Sequence, residues 1–289
     1  MKLNQNILAQ LNDFGDDLEG FTESYAVDGL VMAQGFAAGT RNSEGQFIAG
    51  FCVEDEHSVW LMALDLTWLL WLDDRIDLST AAGPCIDWGS LLQPGASSLM
   101  SAEGRSFSRI RAHMAKAAPT AGAFAAWQDS AAALLRAYHA NWLLSAGQLS
   151  WGYAEYLENG EVSIALPHFL ATVSLACNYR MELRGDSLFR RIVRNLSLAS
   201  RLQNDLASAE KERSVGDRAN AVLLIERYMA PPQARGFVLA EQLSYEKMLL
   251  ADLEALAPSD PLIQFSKIIL AMMDVFYKAP RKRYTPCSQ

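Results

Sequence analysis

Apolar residues recur at intervals of three and four along most of this chain, the period of helices that bury one side. Leu3 to Phe14 and Leu18 to Gln34 each carry such a stripe. The apolar residues from Phe47 to Gly50 onward read as the start of another helix, after the polar loop GTRNSEG at residues 39–45. Residues 79–101 are rich in Gly, Pro and Ser and read as a loop holding a short helical piece near Ile86 to Leu92. Helices are expected again from Glu103 to Ala117 and, after Pro119 and Thr120, from Ala123 to Leu149. The next, starting near Trp151, meets Asn159, Gly160 and Pro167. Proline cannot donate the helical hydrogen bond and glycine loosens the backbone, so Ser163 to Pro167 is predicted to be kinked or broken. Strand-like alternation is hard to find, and the pattern describes an all-α protein.

At 289 residues and 51% hydrophobic, the chain can bury a large core, and one domain spanning residues 1–289 is the expectation. The net charge of −8 argues against nucleic acid as a partner. Cys52, Cys85, Cys177 and Cys287 are widely spaced, so they form neither a zinc motif nor a disulfide framework, and a reducing cytoplasm fits them. No apolar run reaches the roughly eighteen residues that span a bilayer, and the start of the chain is too polar and acidic for a signal peptide. A cytoplasmic protein without stable membrane insertion is therefore expected.

Three stretches break the pattern with chemistry. Trp60 to Asp77, WLMALDLTWLLWLDDRID, is an apolar run that ends in Asp73, Asp74 and Asp77. In a helix Asp73 and Asp77 share a face with Leu66 and Leu69, and their mutual repulsion favours a cation. A solvated helix end is the other reading of the same residues. In RLQNDLASAEKE, from Arg201 to Glu212, the spacing of Asn204, Ser208 and Glu212 by four and four puts amide, hydroxyl and carboxylate oxygens in one stripe. That donor set suits Mg²⁺, and the cations Arg201 and Lys211 beside it suggest an anionic ligand such as a diphosphate. Near the C-terminus Arg283 and Tyr284 sit in a basic patch, either as a phosphate clamp or as part of a basic tail.

Together these stretches resemble the class I terpene synthase family, over about residues 50 to 285. DDRID at Asp73 to Asp77 looks like the family's aspartate-rich motif. NDLASAEKE at Asn204 to Glu212 is similar to its asparagine, serine and glutamate triad, and Arg283 with Tyr284 to its C-terminal arginine and tyrosine pair. YAEYLENGEVSIA, Tyr153 to Ala165, looks more narrowly like bacterial ent-kaurene synthases and related diterpene cyclases. Gly160 and Ala165 stand where many bacterial members carry a diphosphate-sensing arginine and a glycine. That departure puts the usual sensor in doubt, and Arg201, Lys211 or Arg180 are the candidate substitutes.

The resemblance implies a single helical bundle around a deep apolar cavity, with the two metal motifs facing each other across its mouth. It implies three Mg²⁺ ions, a small-molecule prenyl diphosphate substrate and, as in many members, a homodimer. Asp73, Asp74, Asp77, Asn204, Ser208 and Glu212 would be metal ligands, with Asp73, Asn204 and Glu212 central to catalysis. Arg201, Lys211, Arg283 and Tyr284 would hold diphosphate. Leu66, Leu69, Ile164, Ala165, Phe276 and Tyr277 are the cavity-wall candidates, each with ordinary core packing as the alternative. The function expected is a diterpene cyclase acting on a bicyclic labdadienyl diphosphate, foremost ent-copalyl diphosphate, to give ent-kaurene or a close relative. Alternatives are a terpene synthase using a linear prenyl diphosphate, a chain-elongating prenyltransferase, and a helical binding protein without chemistry.

Overall fold

The computed structural model describes residues 3–51, 53, 55–79, 86–92, 101–179 and 186–278. In chain order the elements are α1 (Gln5–Gly15), α2 (Glu23–Ala38), β1 (Gly39–Arg41), β2 (Phe47–Ala49), α3 (Glu56–Ser79), α4 (Trp88–Leu92) and α5 (Ala102–Ala117). They continue with α6 (Ala121–Ser145), α7 (Tyr153–Ser163), α8 (Leu166–Ala176), α9 (Ser187–Val215), α10 (Ala221–Ile225), α11 (Pro231–Glu254) and α12 (Pro261–Lys278). The all-α expectation holds. Among the described residues no helix is long and apolar enough to cross a membrane.

Two expectations need correction. Phe47 to Ala49 is a strand paired with β1, not the start of a helix. Asn42 closes the turn between them, its Oδ1 accepting from the backbone of Glu44 and Gln46, while Gly45 takes the left-handed φ of 80° that reverses the chain. The second helix begins at Glu23 rather than Leu18, because residues 15–21 fold into tight turns, Leu18 N to Gly15 O and Phe21 N to Leu18 O.

The chain divides into two compact units. One comprises Met1–Thr40, Ala49–Arg136 and Pro167–Arg184; the other comprises Arg41–Ile48, Ala137–Leu166 and Gly185–Gln289.

In the first unit α3 is the central helix, packed on α1, α2 and α5. Its apolar run places Leu61, Met62, Leu64, Trp68, Trp71 and Leu72 in the core, each side chain contributing on the order of 1.5–3 kcal/mol by leaving water. The two tryptophans keep their polar edges satisfied, Trp68 Nε1 donating to Ser106 Oγ (3.0 Å) and Trp71 Nε1 to the Glu19 carbonyl (3.1 Å). The polar breaks are satisfied too. Asp65, fully buried, accepts from Thr172 Oγ1 at 2.8 Å and faces His168 Nε2 at 3.1 Å. Ser130 Oγ donates to the Trp127 carbonyl (2.7 Å), so toward His168 Nδ1 (3.0 Å) it accepts, which puts a hydrogen on that nitrogen. The chain from Ser130 through His168 to Asp65 and Thr172 thus ties α3 to α6 and α8.

In the second unit α9 is the axis, packed on α7, α10, α11 and α12. Asp186 caps its start by accepting from Phe189 N at 2.8 Å, and Gly216, with φ of 78°, ends it in the left-handed conformation. The backbone of Gly216 and Asp217 returns onto the carbonyls of Arg213 and Glu212, and this turns the chain back over the last turns of α9.

The close approach of α2 to α3 depends on Gly29: a Cβ there would stand 2.3 Å from Thr67 Oγ1 and 2.9 Å from its backbone nitrogen. Since the second of these neighbours is backbone, Gly29→Ala is expected to destabilise the fold by about 1–3 kcal/mol. Urea unfolding checks this.

Candidate metal-binding site

The three donors predicted on α9 lie on one face because 3.6 residues per turn carries a four-residue step only about 40° around the axis. Asn204 donates from Nδ2 to Tyr277 Oη at 3.0 Å, and its side-chain oxygen accepts no hydrogen bond among the described residues. Ser208 is buried and donates from Oγ to the Asn204 carbonyl at 2.9 Å. Glu212 is half-buried and accepts at Oε2 from Asn220 Nδ2 (2.7 Å). Burial, then the neighbouring carboxylates Asp205 and Asp217, push its carboxyl up to about 8.

That displaced carboxyl, beside an amide oxygen with room for a partner, is the physical test of whether a cation fits. A divalent ion would reverse the penalty on ionised Glu212, and the amide, hydroxyl and carboxylate oxygens are the hard donors such an ion prefers. Among the described residues no three His, Cys, Asp or Glu side chains cluster as a metal site. The stripe draws two of its three donors from an amide and a hydroxyl, and the residues present fit a hard cation.

Arg201, one turn before Asn204, is built into the same face. Its Nη2 donates to the Ala219 carbonyl (2.7 Å) and its Nε to Tyr156 Oη (2.8 Å), and Nε lies 3.1 Å from Asp205 Oδ1. The last contact is an ion pair without good hydrogen-bond alignment, since Asp205 Oδ1 has no hydrogen-bond partner. Tyr156 Oη has one proton to give. The Asp205 carboxylate, at 2.7 Å, is the nearer acceptor and charged, whereas the Ala219 carbonyl lies at 3.0 Å, so that proton goes to Asp205 Oδ2. Burial works against the charge on Arg201, yet Asp205, Tyr156 and Glu212 hold the guanidinium well above its ordinary value. Burial raises Asp205, with Arg201 opposing it, and raises the Tyr156 phenol well above its usual range.

The same arginine accounts for Gly160. A Cβ on Gly160 would meet Arg201 Cγ at 3.1 Å, so the glycine makes room for the stem of an arginine from α9. Downstream, the predicted break falls at Ile164 and Ala165, between α7 and α8. Ile164 N still reaches the Gly160 carbonyl (3.3 Å) and Ala165 N the Val162 carbonyl (3.0 Å), but Ala165 has a φ of 65°, unusual for a residue with a Cβ. Pro167 is tolerated because it lies in the first turn of α8.

On α3, Asp73, Asp74 and Asp77 are half-buried, and Leu66 and Leu69 are buried on the face that carries Asp73. Arg75 points about 200° around the helix from Asp73. It pairs with Glu103 (3.1 Å) and Glu19 (3.4 Å), which fixes how α3 is rotated within its unit. Tyr277 touches Asn204 as described, and Lys211 is half-buried about 100° from Glu212 around α9. Arg180, Arg283, Tyr284 and the side chain of Phe276 lie outside the described residues. Cys177 is the cysteine whose surroundings are described: burial, then Asp55, pushes its thiol up to about 12, so it stays protonated.

Sequence reasoning missed Tyr156, Asp205 and Asn220. Two of them lie inside stretches already singled out, and Asn220 carries the signal of a helix cap, an Asn directly before the apolar run AVLLI.

The family model described as terpene synthase family 2, C-terminal metal binding, matches residues 66–235. Among solved structures, 2-methylisoborneol synthase from Streptomyces coelicolor A3(2), in complex with Mg²⁺ and 2-fluoroneryl diphosphate, is similar in fold. Its TM-score is 0.71 at 14% identity, with 99% of this chain and 95% of that chain covered. Linalool/nerolidol synthase from Streptomyces clavuligerus, in complex with 2-fluorogeranyl diphosphate, aligns with a TM-score of 0.69 at 16% identity over 94% and 98% of the two chains. Abietadiene synthase from Abies grandis aligns with a TM-score of 0.68 at 17% identity, over 96% of this chain and 38% of that one. At these identities the structural likeness speaks for the fold, while the family match spans more than half of the sequence and includes both DDRID and the α9 stripe. The chain belongs to the terpene synthase family.

Proposed function

We propose that this protein is a Mg²⁺-dependent terpene cyclase that ionises an allylic prenyl diphosphate, releasing diphosphate, and closes the resulting carbocation into rings, the cyclic cation losing a proton to end as a neutral alkene. The observation that carries this reading is the α9 stripe, in which Asn204, Ser208 and Glu212 present oxygen donors beside a buried, permanently charged Arg201. Its cation-binding fit, together with the Mg²⁺ and diphosphate analogue in the 2-methylisoborneol synthase complex, supports Mg²⁺ as the cofactor. The family resemblance suggests three ions. Asp73, with Asp74 and Asp77, is the second set of donors, and residues 1–289 act as one catalytic domain.

When bound, Mg²⁺ supplies positive charge to the departing diphosphate. Arg201 adds to that charge without a proton change, since its guanidinium stays protonated and Tyr156, Asp205 and Ala219 fix its position before substrate arrives. Its Nη1 makes no hydrogen bond among the described residues and is the atom offered to phosphate oxygen. Lys211, Arg283 and Tyr284 complete the diphosphate contacts. Leu66 and Leu69 on α3, and Ile164, Ala165, Phe276 and Tyr277 in the other unit, are the lining residues proposed for each; apolar and aromatic surface of this kind excludes water from a carbocation and tolerates its charge.

For the substrate we propose a bicyclic labdadienyl diphosphate, foremost ent-copalyl diphosphate, cyclised to ent-kaurene or a close relative. What supports it is the Tyr153 to Ala165 stretch, where Gly160 seats Arg201 in place of a side chain of its own. A second reading, a linear ten- or fifteen-carbon diphosphate, is favoured by the analogues bound in the two Streptomyces enzymes.

Incubation of purified protein and Mg²⁺ with ent-copalyl, geranyl, farnesyl and geranylgeranyl diphosphates, with products read by gas chromatography, is expected to give a cyclic diterpene from ent-copalyl diphosphate. Turnover of linear substrates alone would replace the first reading with the second. Asp73→Ala and Asn204→Ala are each expected to lower turnover by at least about 10²–10³-fold with the helical circular dichroism intact; full activity in both removes the metal reading.

The Glu212 carboxyl gives a pH dependence. Its folded value, about 8, lies above the ordinary 4.5, so the folded state holds a proton that the unfolded chain has released. Stability of the metal-free protein is therefore expected to fall as pH rises from 4.5 toward 8. Glu212→Gln keeps an oxygen for the Asn220 amide and removes the charge. In EDTA it is expected to match the wild type near pH 4.5 and to melt at a higher temperature above pH 8, while losing turnover. Identical melting profiles would show that Glu212 is not the titrating group.

A further inference from the structure

Asn220 has so far been described only by its contact with Glu212, yet its side chain is fully buried and every polar atom of its amide is engaged. Oδ1 accepts from Val222 N (2.8 Å) and Leu223 N (3.4 Å), capping α10. Nδ2 faces three acceptors: Glu212 Oε2 at 2.7 Å, the Asp205 carbonyl at 2.9 Å and Ser208 Oγ at 3.3 Å. The orientation of the amide is unambiguous, because the flipped form would set its NH₂ against two N–H groups and its oxygen against three acceptors. The two amide hydrogens go to the nearer acceptors, and Ser208 shares one of them.

The backbone on both sides of Asn220 is clamped to the charged pair of α9. The carbonyl of Ala219 receives Arg201 Nη2 (2.7 Å), and Ala221 N donates to Asp205 Oδ2 (3.1 Å). Asn220 therefore cannot swing away from Glu212 without breaking the α10 cap, the Ala219 contact or both. With Oε2 of Glu212 held, the carboxylate rotates less freely and its Oε1 is left for another partner. Ser208 Oγ, donating to the Asn204 carbonyl and touched by the same amide, is fixed in the same way.

We propose that Asn220 is a positioning residue, which holds the Glu212 carboxylate and the Ser208 hydroxyl in their cation-binding orientation before the cation arrives. This rests on the reading of Asn204, Ser208 and Glu212 as Mg²⁺ ligands. It adds that the affinity of those ligands is set from outside α9, by an amide delivered through the turn at Gly216. The physical basis is that a ligand already ordered loses less freedom on binding, and partners of metal ligands commonly carry about 10–100-fold of the affinity.

The test is a pair of variants that keep the cap and lose the clamp. Serine and threonine cap helices about as well as asparagine does, but their short arms carry no amide to extend to Glu212. Full-length wild type, Asn220→Ser and Asn220→Thr are titrated with Mg²⁺ by calorimetry in saturating inorganic diphosphate. Near-ultraviolet circular dichroism reports the folded fraction of each.

Both variants are expected to bind Mg²⁺ about 10–100-fold more weakly. A purely structural role would reduce the amount of folded protein, and so the binding stoichiometry, without moving the half-saturating Mg²⁺ concentration. An unchanged half-saturation in folded variants overturns the role of Asn220 alone. Absence of Mg²⁺ binding to the wild type overturns the ligand reading on which it rests.

Discussion

Helix α9 carries a buried carboxylate, Asp205, and a half-buried one, Glu212, two turns apart, and the organisation of its unit follows from how differently they are answered. An ionised carboxylate taken from water costs several kcal/mol unless charge and hydrogen bonds replace its hydration. Asp205 is answered from within: Arg201 beside it, the Tyr156 hydroxyl and the backbone of Ala221. Glu212 receives only partial compensation, from the charge of Arg201, the Ser208 hydroxyl and an amide hydrogen of Asn220, and burial dominates its titration. The first has a charged partner within the unit, although burial still raises it and its Oδ1 accepts no hydrogen bond, and its contacts tie α7, α9 and the start of α10 together. The second is left open, and an open carboxylate beside a half-used amide and a hydroxyl is the donor set on which the proposed cation site rests.

Much of the fold could be read in the sequence because helix signals are local. The apolar period, the proline and the glycine located the break after Ser163, and the four-residue spacing put Asn204, Ser208 and Glu212 on one face without knowledge of any neighbour. The hairpin at residues 39–49 was misread for the same reason. Its strands are three residues each, too short for alternation to register, and the deciding signal is the turn formed by Asn42 and Gly45.

What the sequence did not disclose depends on the chain returning on itself. The role of Asn220 follows only after Gly216 reverses direction and brings it over Glu212. The assignment of Arg201 to Tyr156 and Ala219 joins three segments that no motif spacing connects. Asp205 is adjacent to Asn204 in sequence but about 100° around the helix, so it serves the interior while Asn204 serves the stripe.

Gly160 and Arg201 occupy one volume between them. The stem of Arg201 fills the space above Gly160, and a Cβ at 160 would press on its Cγ at 3.1 Å. The two residues depend on each other: a long side chain at 160 displaces the Arg201 stem, and shortening Arg201 leaves a hole over the glycine and removes the charged partner of Asp205. Such reciprocal dependence makes the two positions epistatic. The glycine at 160 is thus matched by an arginine that reaches the same volume from α9, which gives its lack of a side chain a packing reason.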